Sequence, residues 1–434
     1  MTQAEIRLWG RTVGTVSWDP AARLGRFEYA REFAADGPAL APLMMPLSHR
    51  AYSFPEASRE TFRGLPGLLA DALPDRFGTV LTDAWLASQG RRPEDLDPVA
   101  RLCFTGRRAM GALEFLPADG PADSSTEPLD LDRLVRTASD ILIDHDRSAS
   151  DLANPQVSDG IPQILEIGTS AGGSRAKAVV AWTGRDDALR AGQGPVGNGF
   201  DPWLLKFDGV AENKDREQAD IMGYGRIEHA YHRMAVAAGI SMAECRLLEE
   251  NGRYHFVTRR FDRAADGAKR HMQTLSALAH FSIDRPGEHS YEQLFEVCMR
   301  LGLTEAELVE QSRRVAFNIV ARNQDDHAKN TSFLMDPSGG WSLSPAYDLT
   351  FSYNPAGQWT KTHQTSMAGK LDGFAIDDFV ACVETAGIDR RRATEILAEV
   401  CDAVARWPTF AEASGVPQDH VDRIGAAHRL GLRP

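Results

Sequence analysis

The stretch Asn323-Gln-Asp-Asp-His-Ala-Lys-Asn330 constrains this chain more than any other, because it delivers two oxygen-bearing side chains at a fixed spacing from the end of a helix. Thr304 with Glu307 three positions on is a capping-box signature. Leu308, Val315 and Ile319 carry the apolar spacing of the helix that follows it. Beyond the helix, Asp325 and Asn330 are separated by four residues. Phosphoryl transfer asks for an anionic group near an attacking hydroxyl and for hard oxygen ligands to a magnesium ion. Asp325 suits the first role and Asn330 the second, and Lys329 between them suits charge neutralisation at a transferred phosphate. The hairpin predicted over TSFLMDPSGGWSLSP then ends in Ser-Pro-Ala-Tyr-Asp348, which returns a second acid as a candidate metal ligand.

The spacing D-x-x-x-x-N is that of the protein-kinase catalytic loop, and Asp348 arrives where a kinase presents its metal-binding aspartate. Leu349 and Thr350 follow it in place of Phe-Gly. Upstream, Gly168-Thr-Ser-Ala-Gly-Gly-Ser-Arg-Ala-Lys177 is a glycine-rich turn running into a strand. Backbone N–H groups around Gly172, Gly173 and Ser174 could cradle phosphates, with Lys177 beside them. The turn is neither a Walker A loop nor a dinucleotide fingerprint, and a purely structural turn is the competing reading. Lys206, in Trp203-Leu-Leu-Lys-Phe-Asp-Gly209, shares a strand face with Leu204, an odd place for a lysine unless an anion sits there. Glu228, on the following helix, is its candidate ion-pair partner for holding ATP; a surface lysine and a solvated glutamate are the plainer reading. His363 and Lys370 follow the metal aspartate and are candidates to line a substrate channel.

Around these motifs the chain reads as an α+β protein, β-rich first and helical last. Ile6, Leu8, Val13 and Val16, broken by Gly10 and Gly14, predict an N-terminal unit with hairpins. A helical stretch is expected from Phe62 to Gly90, and strand character from Arg101 to Leu116. The polar, proline-bearing Pro117-to-Pro128 stretch has a linker composition. The expected organisation is a β-rich subdomain over 1–117, a linker over 118–129, an N-lobe with the glycine-rich loop over 130–262 and a helical C-lobe over 263–434. A net charge of −13 opposes direct contact of the whole chain with nucleic acid or an anionic membrane. The five cysteines are scattered, which argues against a zinc ribbon or CxxC site and fits reduced thiols in a cytosol. Nothing in the sequence approaches a membrane span or a signal run, so a cytoplasmic location is expected.

Taken in order, FRGLPGLLADALPD, IGTSAGGSRAKAVV, WLLKFDG, FVTRRFDR, FNIVARNQDDHAKN and LSPAYDLT resemble the HipA family of serine/threonine protein kinases, the toxin halves of bacterial toxin–antitoxin pairs. The resemblance covers nearly the whole chain. It implies a protein-kinase-like, two-lobed fold with an N-terminal β-rich subdomain and a helical C-terminal lobe, and the use of ATP and Mg²⁺. Asp325 matches the catalytic base, Asn330 and Asp348 the magnesium ligands, Lys206 the ATP lysine, and Ser170 the serine that the family autophosphorylates. Thr169 and Ser174 are alternative acceptors. A phosphate there would add about two negative charges where ATP phosphates must sit, so self-inactivation is implied. The family further implies a HipB-like helix-turn-helix antitoxin, DNA contact only through that partner, and a protein substrate such as an aminoacyl-tRNA synthetase.

Two other classes remain open on the residues. One is a metal-dependent phosphohydrolase with Asp325, Asp326, His327 and Asp348 around two metals. The other is a catalytically silent scaffold for a DNA-binding partner.

Overall fold

In a computed structural model the chain is described over residues 2–120, 128–147, 164–165, 167–168, 175–185, 189–194, 199–210, 214–215, 218–219, 222–264 and 266–434. Residues cluster into two compact units. The first comprises 1–41, 45–224 and 246–272; the second comprises 42–44, 225–245 and 273–434. Among the described residues no helix is long and apolar enough to cross a membrane.

The first unit opens with three strands, β1 (Gln3–Leu8), β2 (Arg11–Asp19) and β3 (Leu24–Tyr29), which β4 (Leu113–Leu116) completes into a sheet of order β3-β2-β1-β4. The β1–β2 turn is Trp9-Gly10, both at positive φ (49° and 79°), the geometry a two-residue hairpin requires. Gly14 is obligatory for a different reason: a Cβ there would lie 2.1 Å from the carbonyl oxygen of Glu28 on the neighbouring strand. The apolar faces of Ile6, Leu8, Val13, Val16, Phe27 and Phe115 are fully buried.

The helical stretch expected from Phe62 to Gly90 is three helices, Arg59–Phe62, Gly67–Ala70 and Arg76–Ser88. Pro66 and Pro74 fall between them, since proline lacks the N–H that a continuous helix would need. The strand expected from Arg101 is instead the second half of a helix, Pro98–Thr105, and only Leu113–Leu116 is extended. Local chemistry explains the correction. Asp97 accepts from Ala100 N at 2.9 Å as an N-cap, and Pro98 occupies the first helical turn, where its missing N–H costs nothing.

A second, five-stranded sheet has the order β10-β11-β7-β5-β6, from β5 (Lys177–Trp182), β6 (Leu189–Ala191), β7 (Asp201–Lys206), β10 (Cys245–Glu250) and β11 (Arg253–Arg259); the short pair β8 (Lys214–Asp215) and β9 (Gln218–Ala219) stands apart. Asn251 and Gly252, both at positive φ, turn the β10–β11 hairpin. One sheet face, with Ala178, Val180, Trp203, Leu205 and Val257, packs on Leu134, Val135, Ala138 and Ile141 of the helix Leu131–Arg147 and on Phe77, Val80 and Leu81. The opposite face carries Lys206, which lies across from Lys177 on β5 and Phe256 on β11.

The second unit is mainly helical. Its central helix, Glu305–Val320, begins with the expected capping box, in which Thr304 and Glu307 bond reciprocally. Val315, Phe317, Ile319 and Val320 bury its length, and it packs against the helix Arg390–Val404, where Arg313 reaches Glu399 at 2.5 Å. At its C-terminal end the chain leaves through Arg322 at φ 60°, the left-handed turn that commonly ends a helix, although here without glycine. Arg322 Nε donates to the carbonyl of Ala427 at 2.9 Å, and its guanidinium stacks on Tyr353 at 4.2 Å. The expected hairpin over Ser332–Met335 and Trp341–Leu343 follows the loop.

Candidate functional site

A polar network holds the loop Asn323–Asn330 within the second unit. Its entry is fixed by Asn323, whose Nδ2 donates to Asn318 Oδ1 at 2.9 Å, back on the preceding helix. Ser352 Oγ accepts the backbone N–H groups of Gln324 (2.8 Å) and Asp325 (3.0 Å). At the other end, the Tyr347 hydroxyl donates to the Lys329 carbonyl at 2.7 Å. The segment 347–352 is therefore tied to the loop at both ends and runs antiparallel beside it. Asp348 follows Tyr347 on this segment. Asp348 itself sits at φ 53°, a conformation that aspartate tolerates better than most side chains.

Asp325 and Asp326 are adjacent in sequence and opposite in environment, because successive residues of an extended segment point to opposite sides. The Asp325 side chain is 20% exposed; its Oδ1 accepts from Trp359 Nε1 at 3.0 Å and lies 3.8 Å from His327 Nε2. The carbonyl of Asp325 accepts from Asn330 Nδ2 at 2.6 Å. That bond turns the Asn330 amide nitrogen inward and orients its other end, the carbonyl oxygen suited to a hard cation, away from Asp325. Lys329 is half-buried within this turn.

The Asp326 side chain is fully buried. Its Oδ1 accepts from Gln364 N at 2.7 Å and Thr365 N at 3.4 Å, and its Oδ2 from His363 Nδ1 at 2.8 Å and from the Tyr291 hydroxyl. Burial alone would raise this carboxyl, yet His363, Tyr291 and the Gln364 amide outweigh it and hold the group below the usual carboxylate range. Tyr291 is pushed far the other way by burial and by Asp326, so it remains a donor; in turn it accepts from Asn318 Nδ2 at 3.1 Å. Arg429 Nη1 approaches His363 Nε2 at 3.4 Å. A guanidinium can only donate, so Nε2 accepts and Nδ1 carries the proton directed at Asp326.

The remaining sequence candidates fall in several places. His363 is wholly buried on Asp326, and Lys370 is ion-paired with Asp378 at 2.6 Å on the surface. Lys206 is half-buried on β7, with its Nζ 5.7 Å from the Phe256 ring centre. Lys177 is buried, its Nζ 3.4 Å from Asp75 Oδ2 within the first unit. Glu228 is buried on the helix Tyr224–Ala237, in the second unit, whereas Lys206 lies in the first. Thr169, Ser170, Gly172, Gly173 and Ser174 lie outside the described residues.

The two-metal reading finds no support in this geometry, because Asp326 is committed on both oxygens to protein donors. Among the described residues no group of three or more His, Cys, Asp and Glu side chains is arranged to hold a metal ion. Asn330 and Asp348 each offer an oxygen of the hard type that magnesium accepts when phosphates supply most of its ligands. Sequence reading missed Trp359, Ser352 and Tyr347, whose roles depend on contacts made far along the chain. The doubled aspartate was the visible signal for a buried anchor beside a presented carboxylate.

Two domain families match the sequence: the HipA N-terminal domain over residues 4–116 and the HipA-like C-terminal domain over residues 169–407. The chain belongs to the HipA family. A relative in Sinorhizobium fredii, named "Putative kinase Y4mE", is 26% identical over 430 residues, covering 94% of this chain and 92% of that one. Among solved structures, HipA in the Shewanella oneidensis MR-1 complex of HipA, HipB and operator DNA aligns with a TM-score of 0.69 at 18% identity, covering 99% of this chain and 96% of that one. The expected kinase-like α+β fold, with a β-rich N-terminal part and a helical C-terminal part, is thus the HipA fold.

Proposed function

We propose that this HipA-family chain is an ATP- and Mg²⁺-dependent serine/threonine protein kinase and the toxin of a toxin–antitoxin pair. The observation that carries the reading is the loop itself: a partly exposed Asp325 oriented by Trp359, with Asn330 tied to its backbone and the segment that bears Asp348 bonded to the loop through Tyr347. The hydrogen bond at Oδ1 fixes the plane of the Asp325 carboxylate, which accepts the proton of an attacking protein hydroxyl. Asn330 Oδ1 and Asp348 would hold Mg²⁺, which when bound offsets charge on the phosphate oxygens. Lys329 adds a positive charge from within the loop.

In the same reading Lys206 and Glu228 are the residues that orient ATP, and the N–H groups of Gly172, Gly173 and Ser174 receive its phosphates. Lys177, paired with Asp75, anchors the strand that leaves this turn rather than reaching into solvent. Ser170 is the autophosphorylation acceptor, with Thr169 and Ser174 as alternatives. The partner is a HipB-like helix-turn-helix antitoxin, as in the Shewanella complex, and DNA is met only through it. The location is the cytoplasm, and the target is a protein hydroxyl such as that of an aminoacyl-tRNA synthetase.

The test is incubation of the purified chain with Mg²⁺ and labelled ATP, followed by mass mapping, with Asp325→Gln as control. Phosphate on the Gly168–Lys177 peptide, absent in the control, is expected. An unmodified peptide that stays unreactive toward ATP overturns the kinase reading and leaves the scaffold.

A further inference from the structure

We propose that Asp326 is the positioning residue of this site: it clamps the segment Trp359–Thr365 so that the Trp359 indole sets the direction of the Asp325 carboxylate. The catalytic consequence rests on the kinase reading above; the geometric claim does not.

The path is short and continuous. Asp326 Oδ1 takes the backbone N–H of Gln364 at 2.7 Å, and its own carbonyl takes the Thr365 hydroxyl at 2.5 Å. Gln364, 1% exposed, passes the constraint back along its segment by donating Nε2 to the Trp359 carbonyl at 2.6 Å. Trp359 then donates Nε1 to Asp325 Oδ1 at 3.0 Å. The two adjacent aspartates are thus the two ends of one clamp, one buried and one presented.

The anchor needs a carboxylate and not merely a polar side chain. Its four donors, Tyr291 Oη, His363 Nδ1, Gln364 N and Thr365 N, converge on its two oxygens. The two backbone donors cannot change roles. His363 cannot either, because Arg429 donates to Nε2 and leaves the proton on Nδ1. An asparagine that kept its oxygen on the backbone pair would therefore set its NH₂ against the Nδ1 proton. The clamp would loosen without a change in side-chain size.

A purely structural anchor predicts lower stability with an unaltered turnover per folded molecule. A positioning role predicts a loss shared with Trp359. The experiment compares wild type, Asp326→Asn, Trp359→Phe and the double variant in single-turnover phosphate transfer from saturating Mg-ATP, per folded molecule. Each single variant is expected to lose about tenfold in rate, with the KM for ATP within about twofold, and the double is expected to lose no more than the worse single. A double variant about a hundredfold down, or full rate in folded Asp326→Asn, overturns the proposal.

Should Asp326→Asn fail to fold, Gln364→Met replaces it, since it removes the link to the Trp359 carbonyl while keeping the amide bonded to Asp326. The same non-additivity with Trp359→Phe is then expected, and additive losses overturn the proposal. In parallel, the indole ¹⁵N–¹H signal lost in Trp359→Phe identifies Trp359, and it should move in Asp326→Asn or Gln364→Met. An unmoved signal overturns the clamp even if the wild type transfers no phosphate, whereas a moved signal in an inactive chain overturns only the kinase reading.

Discussion

The neighbouring aspartates give a test in which one chemical change at two consecutive positions should produce opposite results. Asp325→Asn removes the charge of a side chain that is 20% exposed and accepts from Trp359 at 3.0 Å. The asparagine oxygen can still accept from Trp359, so the change should cost about 1 kcal/mol of stability at most. If Asp325 is the general base, phosphate transfer should fall by roughly 10²–10⁴. Asp326→Ala removes a fully buried carboxylate and strands the Tyr291 hydroxyl, His363 Nδ1 and the amides of Gln364 and Thr365. Breaking such a buried charged network costs about 3–5 kcal/mol. For a folding unit of this size that corresponds to a fall in Tm of roughly 6–20 °C. Differential scanning calorimetry and labelled-ATP transfer on both variants separate the effects. The reasoning is refuted if Asp325→Asn lowers Tm as much as Asp326→Ala, or if Asp326→Ala leaves Tm unchanged.

In the first unit, Asp75→Ala should destabilise by about 3–5 kcal/mol, because it withdraws charge from the buried Lys177 and removes the N-cap bond to Gly78 N at 2.7 Å; a urea midpoint within error of wild type would contradict this. Lys206→Met should weaken binding of a labelled ATP analogue by at least about tenfold while leaving the nucleotide-free Tm in place, since the side chain is only half-buried; undiminished binding removes its assignment. Burial lowers His271 to about 3 and His255, His289 and His428 to about 4. Below about pH 6.5 the unfolded chain binds a proton at each of them that the folded chain refuses, so stability should fall by about 1.4 kcal/mol per pH unit per histidine until the folded values are reached. Equal urea midpoints at pH 7.5 and 5.5 would rule this out.

The sequence by itself determined what is written in local chemistry. Thr304 and Glu307 announced the start of the central helix, Asn251-Gly252 the hairpin turn, and Asp325 with Asn330 the loop, because capping, positive φ and short fixed spacings act over a few residues. Local signals also misled where a stronger local rule intervened, as when Asp97 and Pro98 started a helix within an apparently strand-like stretch. Only the tertiary structure decided which of two adjacent aspartates is presented and which is buried. That choice is made by Tyr291, His363 and Gln364, whose donors converge on the Asp326 carboxylate, and by Trp359, which donates to Asp325; all four lie some 35 residues away in sequence. No spacing rule reaches that far, since a buried charge is assigned by the donors the fold gathers around it, and those are known only once the chain has packed.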